Sequence, residues 1–304
     1  MKKLLIAFIA LILCASTTIG CPSSSGNTIP TWKSQKTQEP LGDIWGTSSS
    51  DVFAVGSGGT IIHYNGKSWS NMSSGTTNNL IGVWGSSSSN VFAVGDKGTI
   101  VHYDGKVWSS MISNTTEQIN RIWGTSSSDV FATGIEGTIL YYNGNAWSNM
   151  TSGTTNSLGS IWGNSSSDIF AVGDQGTILH YDGNAWSSMT SGTTYPLFGL
   201  WGSSPSDVFA VGDYGTILHY DGSVWSIMLG VTNSNIALFD VWGNSPSDVF
   251  VVGSSGNIVH YDGNAWSNMP SGTNGAIFEA VWGSSPSDVF AVDNTGIILH
   301  YSGN

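Results

Sequence analysis

The stretch WGNSSSDIFAVGDQGTILHYDGNAWSSM, residues 162–189, recurs in close copies along most of the chain. Each copy opens on a Trp-Gly pair, and seven such pairs follow one another at spacings of 39 to 41 residues. A fixed period near 40 that contains several short apolar runs is typical of a unit of four β-strands, whereas helical repeats need a 3.6-residue period. The seven pairs begin at Trp45, Trp84, Trp123, Trp162, Trp201, Trp242 and Trp282.

Each copy divides into four short runs, which we name strands a, b, c and d. In the fifth copy they are an apolar run ending at Trp201, then DVFAVG, then GTILHY, then a run around Trp225. Gly, Asn and Asp between strands b and c and between strands c and d predict tight hairpin turns, because these residues tolerate positive φ. The DVFAVG run is apolar on both faces of its pleat, as expected for a strand buried between two neighbouring blades. The repeat therefore predicts an all-β, seven-bladed β-propeller of four-stranded antiparallel blades.

The two ends of the chain indicate how the ring closes. The seventh copy ends at Asn304 with strands a, b and c but no strand-d tryptophan, whereas Trp32 stands alone before the first copy. We expect an N-terminal strand d around Trp32 to complete the last blade, which removes the open sheet edges that promote aggregation.

The first twenty residues have the pattern of a secretory signal peptide. Lys2 and Lys3 precede an apolar run at 4–13 that is too short to span a bilayer. The following T-I-G-C resembles the lipobox of bacterial lipoproteins, which implies acylation of Cys21; the alternative is ordinary cleavage nearby that leaves Cys21 a free thiol. The predicted organisation is a signal peptide at 1–20, a lipid-anchored Ser/Gly tether at 21–30 and the propeller at 31–304. This implies a bacterial cell envelope location, at the outer membrane if the source is Gram-negative.

Composition excludes several classes of function. Cys14 and Cys21 are the only cysteines, so the mature chain has no disulfide, thiolate metal site or thiol nucleophile. Residues 21–304 carry six basic against 20 acidic side chains, a net charge of −14. Nucleic acid is therefore excluded as a partner, since phosphate binding needs a basic surface. We expect a monomer.

Residues that recur in every blade are predicted to be structural. The histidines occupy one strand-c position, with Tyr141 in the third copy, so they are spread around the ring and do not converge on a metal. The fourteen tryptophans at two equivalent positions are predicted to be core wedges, each burying on the order of 200 Å². Ten aspartates in a–b and c–d turns are predicted to serve turn geometry. The histidines are His63, His102, His180, His219, His260 and His300.

Functional residues are sought where the copies differ. The second and third residues of strand a vary, as do the b–c turns, and both lie on one face of an up-down blade together with the d–a loops. One variable face opposite a uniform one is the arrangement of a scaffold with loop-borne function. The predicted binding residues on the variable face are Tyr195, Phe198, Tyr214, Phe239, Asp240 and Glu279.

The pattern W-G-x-S-x-S-D-V-F-A-V-G-x-x-G-T-I-x-H-Y-D-G-x-x-W resembles repeats of secreted bacterial propellers grouped with the BNR and sialidase-like superfamily. It covers residues 31–304, and YDGxxW at 181–186 is similar to the Asp-box, although it is one residue shorter between Asp and Trp. The repeats are also similar in kind to WD40/YVTN-like repeats, but no Trp-Asp dipeptide closes any copy. Sialidases hold the substrate carboxylate with three arginines, whereas the mature chain contains only Arg121. Sialidase activity is therefore excluded.

Two functions remain open at this stage. The favoured one is a non-enzymatic, envelope-anchored propeller that binds a protein or glycan on its variable face. The alternative is a glycosidase that uses two of the rim carboxylates Asp43, Asp240 and Glu279. These acids are expected to be solvated, although they also fit a Ca²⁺ site; we predict no other cofactor.

Overall fold

The computed structural model describes residues 32–228 and 235–303, and its fold is the predicted seven-bladed propeller. Seven four-stranded antiparallel sheets make up these residues. Strands a of successive blades contact one another, and the last contacts the first, so the ring is closed around a central channel. No helix in the described ranges is long and apolar enough to cross a membrane. The predicted signal peptide, Cys21 and tether lie outside the described residues.

Strands a are innermost and line the channel. Each begins on a buried apolar residue and ends in the a–b turn, with a β-bulge at its second and third residues. Strands a are β2 (Leu41–Ser48), β6 (Leu80–Ser87), β10 (Ile119–Ser126), β14 (Leu158–Ser165), β18 (Leu197–Ser204), β22 (Leu238–Ser245) and β26 (Phe278–Ser285).

Strands b carry the apolar core on both of their faces, as predicted. In the first blade Phe53 and Val55 pack against the second blade, whereas Val52 and Ala54 pack against the seventh. A fully buried valine or phenylalanine side chain contributes roughly 1.5–3 kcal/mol, so each strand b stabilises two blade interfaces. Strands b are β3 (Asp51–Gly56), β7 (Asn90–Gly95), β11 (Asp129–Gly134), β15 (Asp168–Gly173), β19 (Asp207–Gly212), β23 (Asp248–Gly253) and β27 (Asp288–Asp293).

Strands c follow strands b after tight turns. Five of these turns are short 3₁₀ segments whose second residue has positive φ, as at Gly58 and Lys97. The segments are Ser57–Gly59, Asp96–Gly98, Asp174–Gly176, Asp213–Gly215 and Ser254–Gly256. Strands c are β4 (Ile61–Tyr64), β8 (Ile100–Tyr103), β12 (Ile139–Tyr142), β16 (Thr177–Tyr181), β20 (Ile217–Tyr220), β24 (Ile258–Tyr261) and β28 (Ile297–Ser302).

Strands d are outermost, and the N-terminal one closes the ring as predicted. β1 (Trp32–Lys36) pairs antiparallel with β28, with Trp32 opposite Tyr301 and Lys36 opposite Ile297. Trp69 stands opposite Tyr64 in the same way in the first blade, so β1 begins at the c–d turn end of the last blade. The other strands d are β5 (Trp69–Met72), β9 (Trp108–Met111), β13 (Trp147–Met150), β17 (Trp186–Met189), β21 (Trp225–Ile227) and β25 (Trp266–Asn268).

The Trp-Gly pairs form a second closed ring. The Trp45 indole lies over Gly85 of the next blade so closely that a Cβ on this glycine would come within 2.7 Å of Cη2. The same contact recurs from blade to blade until Trp282 covers Gly46. Glycine follows each tryptophan because the preceding blade's indole occupies the space of a side chain. These seven tryptophans pack against the cores between blades, as the predicted wedges do, and keep part of their surface exposed.

Candidate binding site at the channel mouth

The b–c turns and d–a loops lie together on one face, which we call the variable face. Backbone hydrogen bonds join them, for example from Asp213 N to Pro196 O at 2.9 Å and from Asp96 N to Asn79 O at 3.0 Å. The a–b and c–d turns meet on the opposite, uniform face, where Gly303 N donates to Ser287 O at 2.7 Å.

Aspartates of the c–d turns on the uniform face accept hydrogen bonds from the backbone of their own turns. Oδ1 of Asp182 accepts hydrogen bonds from the backbone N–H groups of Asn184 and Ala185, both at 2.9 Å. These two hydrogen bonds hold the pKa of Asp182 below its usual range. Asp104, Asp221 and Asp262 repeat the arrangement in their own blades.

The histidines are likewise held within their own blades. In five blades the histidine Nε2 lies 2.6–2.7 Å from Oδ1 of the a–b turn aspartate, and in the third blade Tyr141 hydrogen-bonds Asp129 instead. Within the described ranges no group of three or more His, Cys, Asp or Glu side chains is arranged to hold a metal ion. The five pairs are Asp51–His63, Asp168–His180, Asp207–His219, Asp248–His260 and Asp288–His300.

Two of the three candidate acids bind backbone inside the channel. Asp43 is only 7% exposed, and its carboxylate accepts from Ile44 N at 2.9 Å and from Val83 N of the next blade at 2.8 Å. Asp240 accepts from Val281 N, also in the next blade, at 2.9 Å. The expectation of freely solvated rim acids is therefore wrong for Asp43, because the bulge in strand a turns its third residue toward the neighbouring blade.

Arg121 occupies the same strand-a position as Asp43 and Asp240. Its Nη1 donates to Ile81 O of the preceding blade at 3.0 Å. Burial lowers the pKa of Arg121, but the charges of Asp43, Asp240 and Glu279 outweigh burial and raise it. Arg121 therefore places a guanidinium in a channel that also holds the carboxyl groups of Asp43, Asp240 and Glu279.

The carboxyl groups respond to burial in the opposite sense. Burial raises the pKa of Asp43 and of Glu279, against the attraction of Arg121. Burial raises the pKa of Asp240 to about 7, with Arg121 opposing the shift and Asp43 adding to it.

The second residues of strands a surround a cavity of about 240 Å³ at the channel mouth. Phe198 and Phe239 lie side by side in its wall, with ring centroids 5.6 Å apart. Glu279 of the seventh blade and Arg121 also line the cavity, which opens on the variable face. The remaining lining residues are Ile81, Asn120, Ser157, Gly159, Asp174 and Leu197.

Two exposed tyrosines form a separate feature of the fifth blade. Tyr195 of the d–a loop and Tyr214 of the b–c turn stack with ring centroids 4.5 Å apart and an interplanar angle of 27°. They are 45% and 53% exposed. Tyr195 is three residues from Phe198, so this stacked pair adjoins the cavity wall along the chain.

The predicted binding residues thus fall into three groups. Phe198, Phe239 and Glu279 line the cavity, Tyr195 and Tyr214 form the stack beside it, and Asp240 is engaged between two blades. Sequence reasoning considered Arg121 only as evidence against sialidase activity and missed its place in the channel. Its position in the variable third place of strand a was the available signal.

Comparisons with known proteins support the fold. No protein-family profile and no curated protein sequence matches the chain. Among solved structures, YCF48 bound to D1 peptide is similar with a TM-score of 0.75 at 17% identity, covering 93% of this chain and 100% of that one. The WD40 propeller domain of Doa1 has a TM-score of 0.75 at 13% identity, covering 91% and 98%. Virginiamycin B lyase from Staphylococcus aureus has a TM-score of 0.79 at 11% identity, covering 90% and 99%. At these identities the likeness establishes a shared seven-bladed propeller fold.

Proposed function

We propose that this protein is a non-enzymatic binding propeller that captures a protein partner at the channel mouth of its variable face. The observation that carries the proposal is the cavity walled by Phe198, Phe239 and Glu279, three residues that the repeat does not require. Aromatic side chains bury a large apolar area, and a few residues packed in a pocket carry most of the binding energy of a typical protein contact. The similar propeller solved with a D1 peptide supports a peptide rather than a glycan as the occupant.

The proposal includes anchoring of the propeller to a cell-envelope membrane through an acylated Cys21. The strand that follows the tether begins at the c–d turn end of the last blade. A tether of ten residues reaches at most roughly 35 Å. The uniform face is then nearer the membrane and the variable face is turned toward partners.

The glycosidase alternative has one observation in its favour, the pKa of Asp240 near 7. A general acid needs such a value at neutral pH. Asp240 is, however, hydrogen-bonded to Val281 N between two blades. A panel of glycoside substrates tests this alternative. Hydrolysis by the wild-type protein that is lost in Asp240→Asn would contradict the non-enzymatic function and support a glycosidase.

Partner capture from envelope extract tests the site. We expect Phe198→Ala to weaken cross-linked capture at least about ten-fold, because it removes an aromatic wall of the cavity. Asp182→Ala on the uniform face is the matched control and should leave capture unchanged, with the melting temperature of each variant measured first. Capture that survives Phe198→Ala and fails in Asp182→Ala would place the site on the wrong face.

A further inference from the structure

The channel mouth has an unbalanced charge. Three carboxyl groups, those of Asp43, Asp240 and Glu279, share the channel with the single guanidinium of Arg121. Arg121 donates to the backbone carbonyl of Ile81 and, among the residues described, makes no ion pair within 4.0 Å of a carboxylate. Another cation would therefore be attracted to this mouth, and an anionic group would be repelled.

Glu279 differs from the other two acids in having no hydrogen bond to any described residue. Asp43 and Asp240 are each bound to a backbone N–H of the next blade. The Glu279 carboxylate accepts no hydrogen bond within the described part of the chain, and it lines the cavity beside the phenylalanine pair. The Glu279 carboxylate is therefore available to accept a hydrogen bond from a group bound in the cavity.

The walls of the cavity suit an occupant with an apolar stem and a cationic end. Phe198 and Phe239 line the cavity, and aromatic rings attract cations and cover methylene groups. A cavity of about 240 Å³ admits one long side chain but not a folded element. A bare metal ion is a poorer match, since no group of three ligand side chains is arranged around one in the described ranges.

Building on the proposed function, we infer that the channel mouth receives one lysine or arginine side chain from an extended segment of the partner. Glu279 supplies the counter-charge, and Phe198 and Phe239 hold the aliphatic stem. The stacked Tyr195 and Tyr214 beside the cavity offer a flat surface to the residues that flank the basic one.

A peptide-display selection tests the inference. A random nonapeptide library is selected against the full-chain protein in detergent. The selected peptides are then measured against two variants with unchanged melting temperature, Glu279→Gln and Glu136→Gln. We expect wild-type binders to share one lysine or arginine at a fixed position. Glu279→Gln should weaken a selected peptide at least about ten-fold, and norleucine in place of the peptide's basic residue should do the same.

The matched control is Glu136→Gln, on the same face but in the exposed b–c turn of the third blade. Gln175 already occupies the equivalent position of the fourth blade with the same backbone conformation, so this change adds no strain. Glu136→Gln should leave peptide affinity unchanged. Equal losses in both variants would mean only diffuse attraction to an acidic face and would overturn the inference.

The remaining outcomes separate the inference from the proposed function. Binders that lack a shared basic residue but are lost in Phe198→Ala would overturn the inference and leave the proposed function standing. A library that yields no binder would contradict the proposed function itself.

A pH series gives a second readout. The charged groups that act on Glu279 are Arg121 and Asp293, and Arg121 also acts on Asp43 and Asp240. A bound cation favours the ionised form of every carboxyl among them. Because burial raises the pKa of Glu279 and of Asp240, the affinity of a basic peptide should rise from pH 5 to pH 8. An affinity that is flat over this range would contradict the inference.

Discussion

His102 shows at the scale of one residue how closely each blade depends on its Asp–His pair. Asn90 stands in the second blade where five other blades have the aspartate that pairs with histidine. Nε2 of His102 is buried without a hydrogen-bond partner among the described residues, and burial lowers the pKa of its imidazole. A buried imidazole nitrogen without a partner destabilises the folded state.

We therefore expect Asn90→Asp to raise the free energy of unfolding by about 1 kcal/mol, because a carboxylate would accept from Nε2. The gain should be larger at pH 5.5 than at pH 8. A histidine whose folded pKa is lowered binds fewer protons than the unfolded chain, so its stability deficit appears as the pH falls below 6.5.

Urea unfolding at the two pH values measures the effect. The matched change is Asp51→Asn, which should impose on the first blade the deficit that the second already has. An unchanged or lower stability in Asn90→Asp would mean that the pair contributes nothing.

At the scale of the strand, the Trp-Gly contact explains why strands a of neighbouring blades keep one register. A Cβ on Gly85 would lie 2.7 Å from both the Trp45 ring and the Asn90 carbonyl oxygen. Gly42, in the bulge of the first strand a, would place its Cβ no nearer than 3.5 Å to any atom. The two glycines differ in the space around them, and this difference is testable.

Gly85→Ala should lower the free energy of unfolding by about 1–3 kcal/mol, because the indole and the strand must move apart. Gly42→Ala should be neutral or slightly stabilising, since alanine restricts the unfolded chain. Scanning calorimetry of both variants checks this. Equal melting temperatures would show that the Trp-Gly contact does not constrain the blade interface.

Strand positions also show what sequence could predict about the site. The apolar residue that opens strand a recurs in every copy, so its two variable successors could be placed on the variable face from the comparison of copies and the up-down order of the strands. The contacts of Asp43 with Val83 N and of Asp240 with Val281 N depend on a bulge and on the neighbouring blade. Such contacts join residues about 40 apart and leave no local pattern.

At the scale of the whole molecule, closure was predictable because the strands could be counted. The seventh copy lacks a strand-d tryptophan and Trp32 has no copy of its own, so the strand around Trp32 was expected to complete the seventh blade. The pairing of β1 with β28 confirms this. The partial exposure of the Trp-Gly tryptophans was not predictable, since it depends on how closely seven strands approach around one channel. The stack of Tyr195 on Tyr214 likewise needed the loop geometry, although both residues were identified from their variability.

The central claim is that a partner docks on the variable face, and hydroxyl-radical footprinting of the captured complex tests it most directly. Tyr195 and Tyr214 are exposed on that face, whereas Val107 and Val224 are each 60% exposed at c–d turns of the uniform face. Binding should reduce oxidation of both tyrosines and leave both valines unchanged. Protection of the valines with the tyrosines still fully oxidised would contradict the account.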